Sequence, residues 1–334
     1  MLDTKHLAST LMASNLDRGL LPTRTTPPED WALDRRIDMN VLVIGATGFI
    51  GSVVAERLVE RGHGVVALVQ PGARTEGLPA GSSYAVGDLA DASGLWAAAE
   101  RADAIINVSR PTGQLTVDAA ATSALLEPLR RTGGPLIYTS GIWVLGATGS
   151  TPVGEDAATD PLPIVGYRPA IEQQVLAAAA DGVRSVVIRP AIAHGRGGGI
   201  PALLVKTARE HGIGRYVGDL DVTWPMVHVD DLADLFVTAL DRAPGGTLLH
   251  AVDEAAVPVV DIARAAAAAA GVDGVAPWPI DQARTALGPE FADALALSQA
   301  CSGERARQLL GWSPRHPKAT TDIASGSYAS TVAA

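Results

Sequence analysis

Gly45, Gly48 and Gly51 follow the apolar run Val41-Leu42-Val43-Ile44 at G-x-x-G-x-x-G spacing, an arrangement suited to cradling the pyrophosphate of a dinucleotide. Gly45 permits a tight strand-to-helix turn, Gly48 lets the backbone come close to the phosphates, and Gly51 lets the next helix pack closely on the sheet. Thr47, Phe49 and Ile50 stand between them, and the first amides of the helix that opens there face the same anion. Glycine spacing alone is weak evidence in a chain with 35 glycines. A second β-branched run, Val65-Val66-Ala67-Leu68-Val69, reached after Gly62-His63-Gly64, completes a strand-helix-strand unit of the expected size of ~30 residues.

The end of that second strand bears on which nicotinamide dinucleotide is held. NAD is commonly met there by Asp or Glu on the ribose hydroxyls, whereas an Arg nearby accommodates the 2′-phosphate of NADP. Here Gln70 is followed by Pro71-Gly72-Ala73-Arg74, which favours NADP and leaves NAD open; Arg74 is equally well read as a solvated loop arginine. Asp88 and Leu89, after Gly87, set a carboxylate within reach of the adenine or, equally, an acid at a helix N-terminus. Asn107, Val108 and Ser109 end a further strand at the carboxyl edge, where open α/β sheets bind ligands.

These residues need a scaffold, and the pattern from Met39 onward supplies one. Strands are expected near 41–45, 65–69, 84–86, 103–108, 135–140 and 183–189, with helices near 50–61, 91–101, 114–131 and 170–181. This alternation predicts an α/β fold, a doubly wound parallel sheet covered on both faces. Residues 39–189 form the expected dinucleotide-binding domain. After Arg189-Pro190 the rhythm breaks into a glycine-rich loop, Gly195 to Gly199, then a helix near 200–211, strands near 215–217 and 226–229, and a helix at 230–242. A smaller C-terminal substrate lobe is expected over 190–330, with some segments returning to the main sheet; Ala263 to Ala270 reads as one of its helices. Residues 1–38, with Pro22, Pro27 and Pro28, read as an extension outside the fold, without the apolar core of a signal peptide.

The chain of 334 residues is long enough to bury a sizeable core. Its net charge of −10 comes without a basic block, which argues against nucleic acid as a partner, and no apolar run reaches the ~18 residues of a membrane span. The single cysteine, Cys301, excludes an intrachain disulfide framework and reads as a bystander thiol, in keeping with a cytoplasmic location. No H-E-x-x-H or C-x-x-C motif calls for a metal. A small-molecule substrate is the expected partner, and a homodimer fits the class.

Taken together, Gly45-Ala46-Thr47-Gly48-Phe49-Ile50-Gly51, Gly87-Asp88-Leu89, Tyr138-Thr139-Ser140-Gly141, Val187-Ile188-Arg189-Pro190 and the run from Trp224 to Ala233 resemble the extended and atypical short-chain dehydrogenase/reductases, the epimerase/dehydratase-like group with a Rossmann fold. The likeness runs from Met39 to about Pro314. It implies a Ser/Thr, Tyr, Lys set in which lysine holds the nicotinamide ribose and favours the phenolate of tyrosine. This chain departs from that set. Aligning Glu172-Gln173-Gln174-Val175-Leu176 with the family helix puts Arg168 at the lysine position and Ile164 at the tyrosine position, while anchoring on Tyr167 leaves Ile171 where lysine belongs. The family serine falls on Gly141, with Ser140 one residue earlier, and a one-residue shift along a strand reverses the side chain's face. Tyr167, Ser140 and Arg168 are the catalytic candidates, Arg168 as a clamp on ribose or phosphate oxygens rather than a base. The resemblance also places Pro190 beside the cofactor. His194, in the loop beside the expected cleft, and Trp224 are the candidate substrate contacts; His228, between Val227 and Val229, reads as structural.

Three functions follow. The favoured one is NADPH-dependent reduction of a small carbonyl or related substrate. The others are NAD-dependent epimerisation or dehydration of a sugar nucleotide, and NADP binding by a regulatory protein without turnover.

Overall fold

The computed structural model describes residues 39–73 and 75–329, so the extension expected over 1–38 and the candidate Arg74 lie outside the described residues. Six strands, β1 (Asn40–Ile44), β2 (Gly64–Val69), β3 (Ser83–Val86), β4 (Ala104–Asn107), β5 (Pro135–Thr139) and β6 (Arg184–Pro190), alternate with helices α1 (Phe49–Glu60), α2 (Ala92–Ala99), α3 (Leu115–Thr132) and α4 (Arg168–Ala177). Next come β7 (Ile192–His194), α5 (Gly199–His211), β8 (Gly214–Val217), β9 (Thr223–His228), α6 (Val229–Arg242), β10 (Thr247–Ala251) and β11 (Glu254–Pro258). The chain continues through α7 (Val259–Ala270), β12 (Val275–Trp278), α8 (Ile280–Leu287), α9 (Pro289–Leu295), α10 (Glu304–Leu310) and α11 (Ala319–Ser325).

The main sheet has seven strands in the order β10-β6-β5-β4-β1-β2-β3, all parallel. Parallel strands covered on both faces read as continuous apolar runs, and Val41 to Ile44, Ala104 to Ile106 and Leu136 to Tyr138 are buried throughout. On one face Val54 and Leu58 of α1 meet Leu232, Phe236 and Leu240 of α6. On the other, Leu95 of α2, Leu125 of α3 and Ile171 of α4 close the layer. Burial of each such aliphatic side chain contributes roughly 1.5–3 kcal/mol. Strand succession reverses between β1 and β4, and ligands of open α/β sheets bind in the crevice at that switch point.

A second core gathers a three-stranded sheet in the order β11-β9-β7, the β12-β8 pair, and helices α5, α7 and α11. The alanine run lies in α7, which ends at Gly271 with φ of +72°; its small side chains let α5 and α11 pack against it. β9 begins three residues before the expected 226, because Trp224 and Pro225 belong to it. The proline is accommodated where the pairing with β11 shifts register between Glu254 and Val257. Among the described residues no helix is long and apolar enough to cross a membrane.

Candidate functional site

The glycine turn sits at the switch point. Gly45 has φ of +89°, and a Cβ there would lie 2.8 Å from the Ser109 amide nitrogen and 2.9 Å from Ser109 Cα. Its carbonyl accepts the Gly48 N–H at 3.0 Å. A Cβ on Gly51 would run into that same carbonyl and come within 2.9 Å of Val108 Cγ2. Gly48 opens α1 with no side-chain cap and no acid in the first turn, which leaves the first-turn amides and the positive helix end to an outside anion. Thr47 is exposed beside them.

Beyond the turn, Gln70 Nε2 donates to Asp88 Oδ2 at 2.7 Å, so the ends of β2 and β3 are tied together. The other Asp88 oxygen accepts the Ala90 amide at 2.8 Å. At the end of β4, Asn107 Oδ1 accepts from Ser109 N at 3.1 Å and Ser109 Oγ at 2.7 Å. Leu89, Asn107 and Ser109 line a small recess whose far side is Tyr138 and Arg168.

Next to the turn opens a cavity of about 610 Å³, bordered by Phe49 and Ile50 of α1, Ser140 and Gly141 after β5, Arg168 of α4 and Pro190 at the end of β6. Phe49 is held in place by the glycine-rich loop, since a Cβ on Gly198 would strike its ring. The rest of the wall is mainly apolar, with Ile142, Trp143, Ile164, Ile192, Ile200 and Phe291. Because β5 stops at Thr139, strand alternation no longer applies, and Thr139, Ser140 and Gly141 all border the cavity. The Ser140 hydroxyl is itself fully buried and has no hydrogen-bond partner, and the same holds for that of Thr139.

Arg168 lies at the start of α4 and is 8% exposed. Its Nη2 donates to the Thr139 carbonyl at 3.1 Å, its Nε has no partner, and its guanidinium carbon stands 6.0 Å from the centre of the Tyr138 ring. Nη1 lies 3.9 Å from where a Cβ on Gly141 would be, so the guanidinium approaches the space that a side chain at 141 would fill. Ile164 and Arg168 both border the cavity.

Three sequence candidates are placed elsewhere. The Tyr167 hydroxyl donates to Asp118 Oδ2 and accepts the Gly113 N–H at 2.9 Å, and its side chain is not part of the cavity wall. Burial, then the bond to Asp118, pushes its pKa up to about 12. The candidate proton donor is thus engaged in holding the Thr112-Gly113 loop, whose Thr112 amide also donates to Asp118. His194 is 1% exposed, bonded through Nδ1 to Asp322 Oδ2 at 3.1 Å, and not part of the cavity wall. Trp224 packs in the second core, with Nε1 donating to the Leu295 carbonyl at 3.2 Å.

His228 is structural in this sense too: its Nδ1 accepts the Asp230 amide at the start of α6, and burial with the neighbouring His194 and His316 lowers its pKa. His194, His228 and Asp322 bring ligand-type atoms within 4.8 Å of one another, a juxtaposition invisible in their spacing along the chain. Among the cavity residues that sequence reasoning missed are Arg110 to Gly113, Trp143, Ile192, Ile200 and Phe291. The first group directly follows the flagged Ser109, and that adjacency was the available signal.

The residues present fit a nicotinamide dinucleotide. The uncapped first-turn amides of α1 and a turn whose glycines leave no room for a Cβ at Gly45 and Gly51 suit a pyrophosphate, and the adjoining cavity has room for the nicotinamide end.

Comparison with known proteins agrees. Residues 41–249 match the family described as the NAD dependent epimerase/dehydratase family. An uncharacterized protein of Schizosaccharomyces pombe is 32% identical over 299 residues, covering 87% of this chain and 100% of its own. The 3-diazoavenalumate denitrifying reductase of Streptomyces sp is 28% identical over 308 residues, covering 84% of this chain and 97% of its own. The crystal structure of the UDP-glucose 4-epimerase of Thermus thermophilus in complex with NAD shares the fold at a TM-score of 0.73, with 21% identity, over 89% of this chain and 100% of that one. The chain belongs to the NAD dependent epimerase/dehydratase family, and it is an enzyme of the NAD(P)-dependent type.

Proposed function

We propose that the protein reduces a small carbonyl compound with NADPH. The observation that carries this reading is the cavity beside the glycine turn: its wall is mainly apolar, and its polar side chains are few, the buried Thr139, Ser140 and Arg168 together with Thr112 and the exposed Arg110 and Glu290. A sugar nucleotide would call for many hydrogen-bonding partners along its length, whereas a compact carbonyl compound needs a few donors at one end. Gln70 at the end of β2, without a carboxylate of its own, supports NADP over NAD.

When bound, the cofactor supplies the hydride that the carbonyl carbon takes up. The balance is carbonyl plus NADPH plus one proton giving alcohol plus NADP. The amides of the Gly45 to Gly51 turn would hold the pyrophosphate, and Phe49, Ile50 and Pro190 would border the nicotinamide end. The Arg168 guanidinium, at the cavity wall, would donate hydrogen bonds toward the carbonyl oxygen as charge gathers on it. Arginine keeps its charge, so Arg168 stabilises but does not protonate, and Tyr167 is bound to Asp118. The proton therefore comes from water at the cavity mouth. The apolar wall keeps other water away from the reacting carbon and strengthens the Arg168 donor.

The test is tryptophan-to-dihydronicotinamide energy transfer in parallel NADH and NADPH titrations, followed by turnover on a panel of aldehydes and ketones, with Gly48→Glu as the inactive control. Tighter NADPH binding and turnover abolished by Gly48→Glu are expected; absence of binding to either cofactor refutes the reading. Gly141, Ile164 and Arg168, which replace the family set, favour a second reading, a regulatory NADP-binding protein. NADPH binding without hydride transfer to any member of the panel would select it.

A further inference from the structure

We propose that the compound reduced in this cavity carries a carboxylate, and that Arg168 receives it. The inference rests on the reductase reading and narrows its substrate class to oxo acids. Arg168 is buried, yet among the described residues no carboxylate pairs with it. The acids nearest by are committed elsewhere. Glu172, one turn along α4, grips Arg189 with both oxygens, at 2.9 and 2.5 Å. Asp118 accepts from Tyr167 and from the Thr112 amide. What Arg168 does have is one carbonyl acceptor, the Tyr138 ring and a hydrogen bond with the Tyr138 side chain, none of which carries a full negative charge.

A buried cation without a counter-ion is costly, and such groups are ordinarily paired. A ribose hydroxyl would satisfy a donor but leave the charge uncompensated. An anion brought by the substrate would do both. Three buried donors at this corner, Arg168 Nε, Thr139 Oγ1 and Ser140 Oγ, have no hydrogen-bond partner, so no acceptor of the chain itself satisfies them. A planar guanidinium fork matches a planar carboxylate through two parallel hydrogen bonds. A diphosphate or triphosphate would need more than one buried cation, and the surrounding wall of Ile142, Trp143, Ile164 and Phe291 offers none. The other charged groups on the wall, Arg110 and Glu290, are both solvent-exposed and of opposite sign. The carbonyl and carboxylate of an oxo acid thus share the one polar corner, and its hydrocarbon part lies along the apolar wall.

The test uses hexanoate and hexanamide, equal in size and differing in charge, titrated calorimetrically into the full chain with and without NADPH. In the wild-type protein hexanoate binds at least about tenfold more tightly than hexanamide. In Arg168→Gln that preference falls to about twofold or less, and Arg168→Lys keeps part of it. Equal affinity for the two compounds in the wild-type protein overturns the proposal, as does a preference that survives Arg168→Gln. Displacement of hexanoate by millimolar inorganic phosphate overturns it as well, because the site is then a general oxyanion site. The wild-type comparison decides the matter even if Arg168→Gln does not fold. Turnover of neutral ketones separates the two readings: reduction of ketones without any carboxylate preference removes this proposal and keeps the reductase. Failure to bind NADPH removes the reductase, while the titration without cofactor still decides the role of Arg168.

Discussion

Replacing Gly45 by alanine tests both the turn and the assignment of the cofactor cradle. Two costs add. Gly45 has φ of +89°, where an L side chain is strained by roughly 1 kcal/mol. The new Cβ would also lie 2.8 Å from Ser109 N, 2.9 Å from Ser109 Cα and 3.0 Å from Val108 C, all backbone atoms at the end of β4 that cannot rotate away. Relief to an ordinary contact of 3.4 Å requires the turn and β4 to part by about 0.6 Å. Overpacking of that kind costs ~1–3 kcal/mol. The expected loss is therefore ~2–4 kcal/mol, which for a chain of this size lowers Tm by about 4–8 °C. Because the displaced backbone is the proposed pyrophosphate cradle, NADPH Kd should rise at least about tenfold in the same variant. Gly154→Ala is the control, since that glycine has no neighbour within 4 Å of a new Cβ and no positive φ; its Tm should stay within about 1–2 °C. Calorimetry and energy-transfer titration read the two effects. A Gly45→Ala protein with unchanged Tm refutes the packing argument, and one with lowered Tm but unchanged NADPH affinity refutes the cradle.

Tyr167→Phe removes the hydroxyl shared by Asp118 and the Gly113 amide, so stability should fall by ~1–2 kcal/mol and substrate KM should rise while kcat changes little; collapse of kcat with KM intact would return Tyr167 to the chemistry. Cys301, fully buried and with its pKa pushed by burial up to about 12, should resist an aromatic disulfide reagent at pH ~8 in the folded protein and react at once in denaturant. His250 has its pKa lowered by burial and by Arg189 to about 4, against 6.5 in the unfolded chain. As pH falls from 6.5 toward 4 the unfolded chain takes up a proton that the folded chain refuses, so stability declines by roughly 3 kcal/mol over that window and is unaffected by this group above it. Urea midpoints for wild type and His250→Leu should converge on acidification; parallel curves would contradict the assignment.

The Rossmann half was legible because its signals are local. Val41 to Ile44, Ile105-Ile106 and Leu136-Ile137 are buried on both sides and read as strands from composition alone, and Gly45 to Gly51 announces its own turn. The second half was less so. β7 is three residues long, β10 and β11 mix polar and apolar residues, and β12 carries a proline, so these form strands only by pairing with distant partners. The same nonlocality hid the fates of single side chains. His194 has the loop setting of a ligand-contacting histidine, but Asp322 on α11 takes its Nδ1. Trp224 belongs to a core that α9 completes through Leu295. Ser140 lies just past the end of β5 at Thr139, so the residue borders the cavity while its hydroxyl is buried.

The position of β10 carries a consequence for synthesis. Six strands of the main sheet are complete once Pro190 has left the ribosome, but β6 then has an open flank, and the strand that covers it does not begin until Thr247. In between, the chain must emit β7, α5, β8, β9 and α6, none of which adds a strand to the main sheet. During that interval the nascent molecule presents a bare apolar edge, Val186 to Ile188, of the kind that recruits stray strands or chaperones. A slow stretch of translation between Pro190 and Thr247 would lengthen that exposure, and a chain truncated within it should aggregate although its dinucleotide turn is already made.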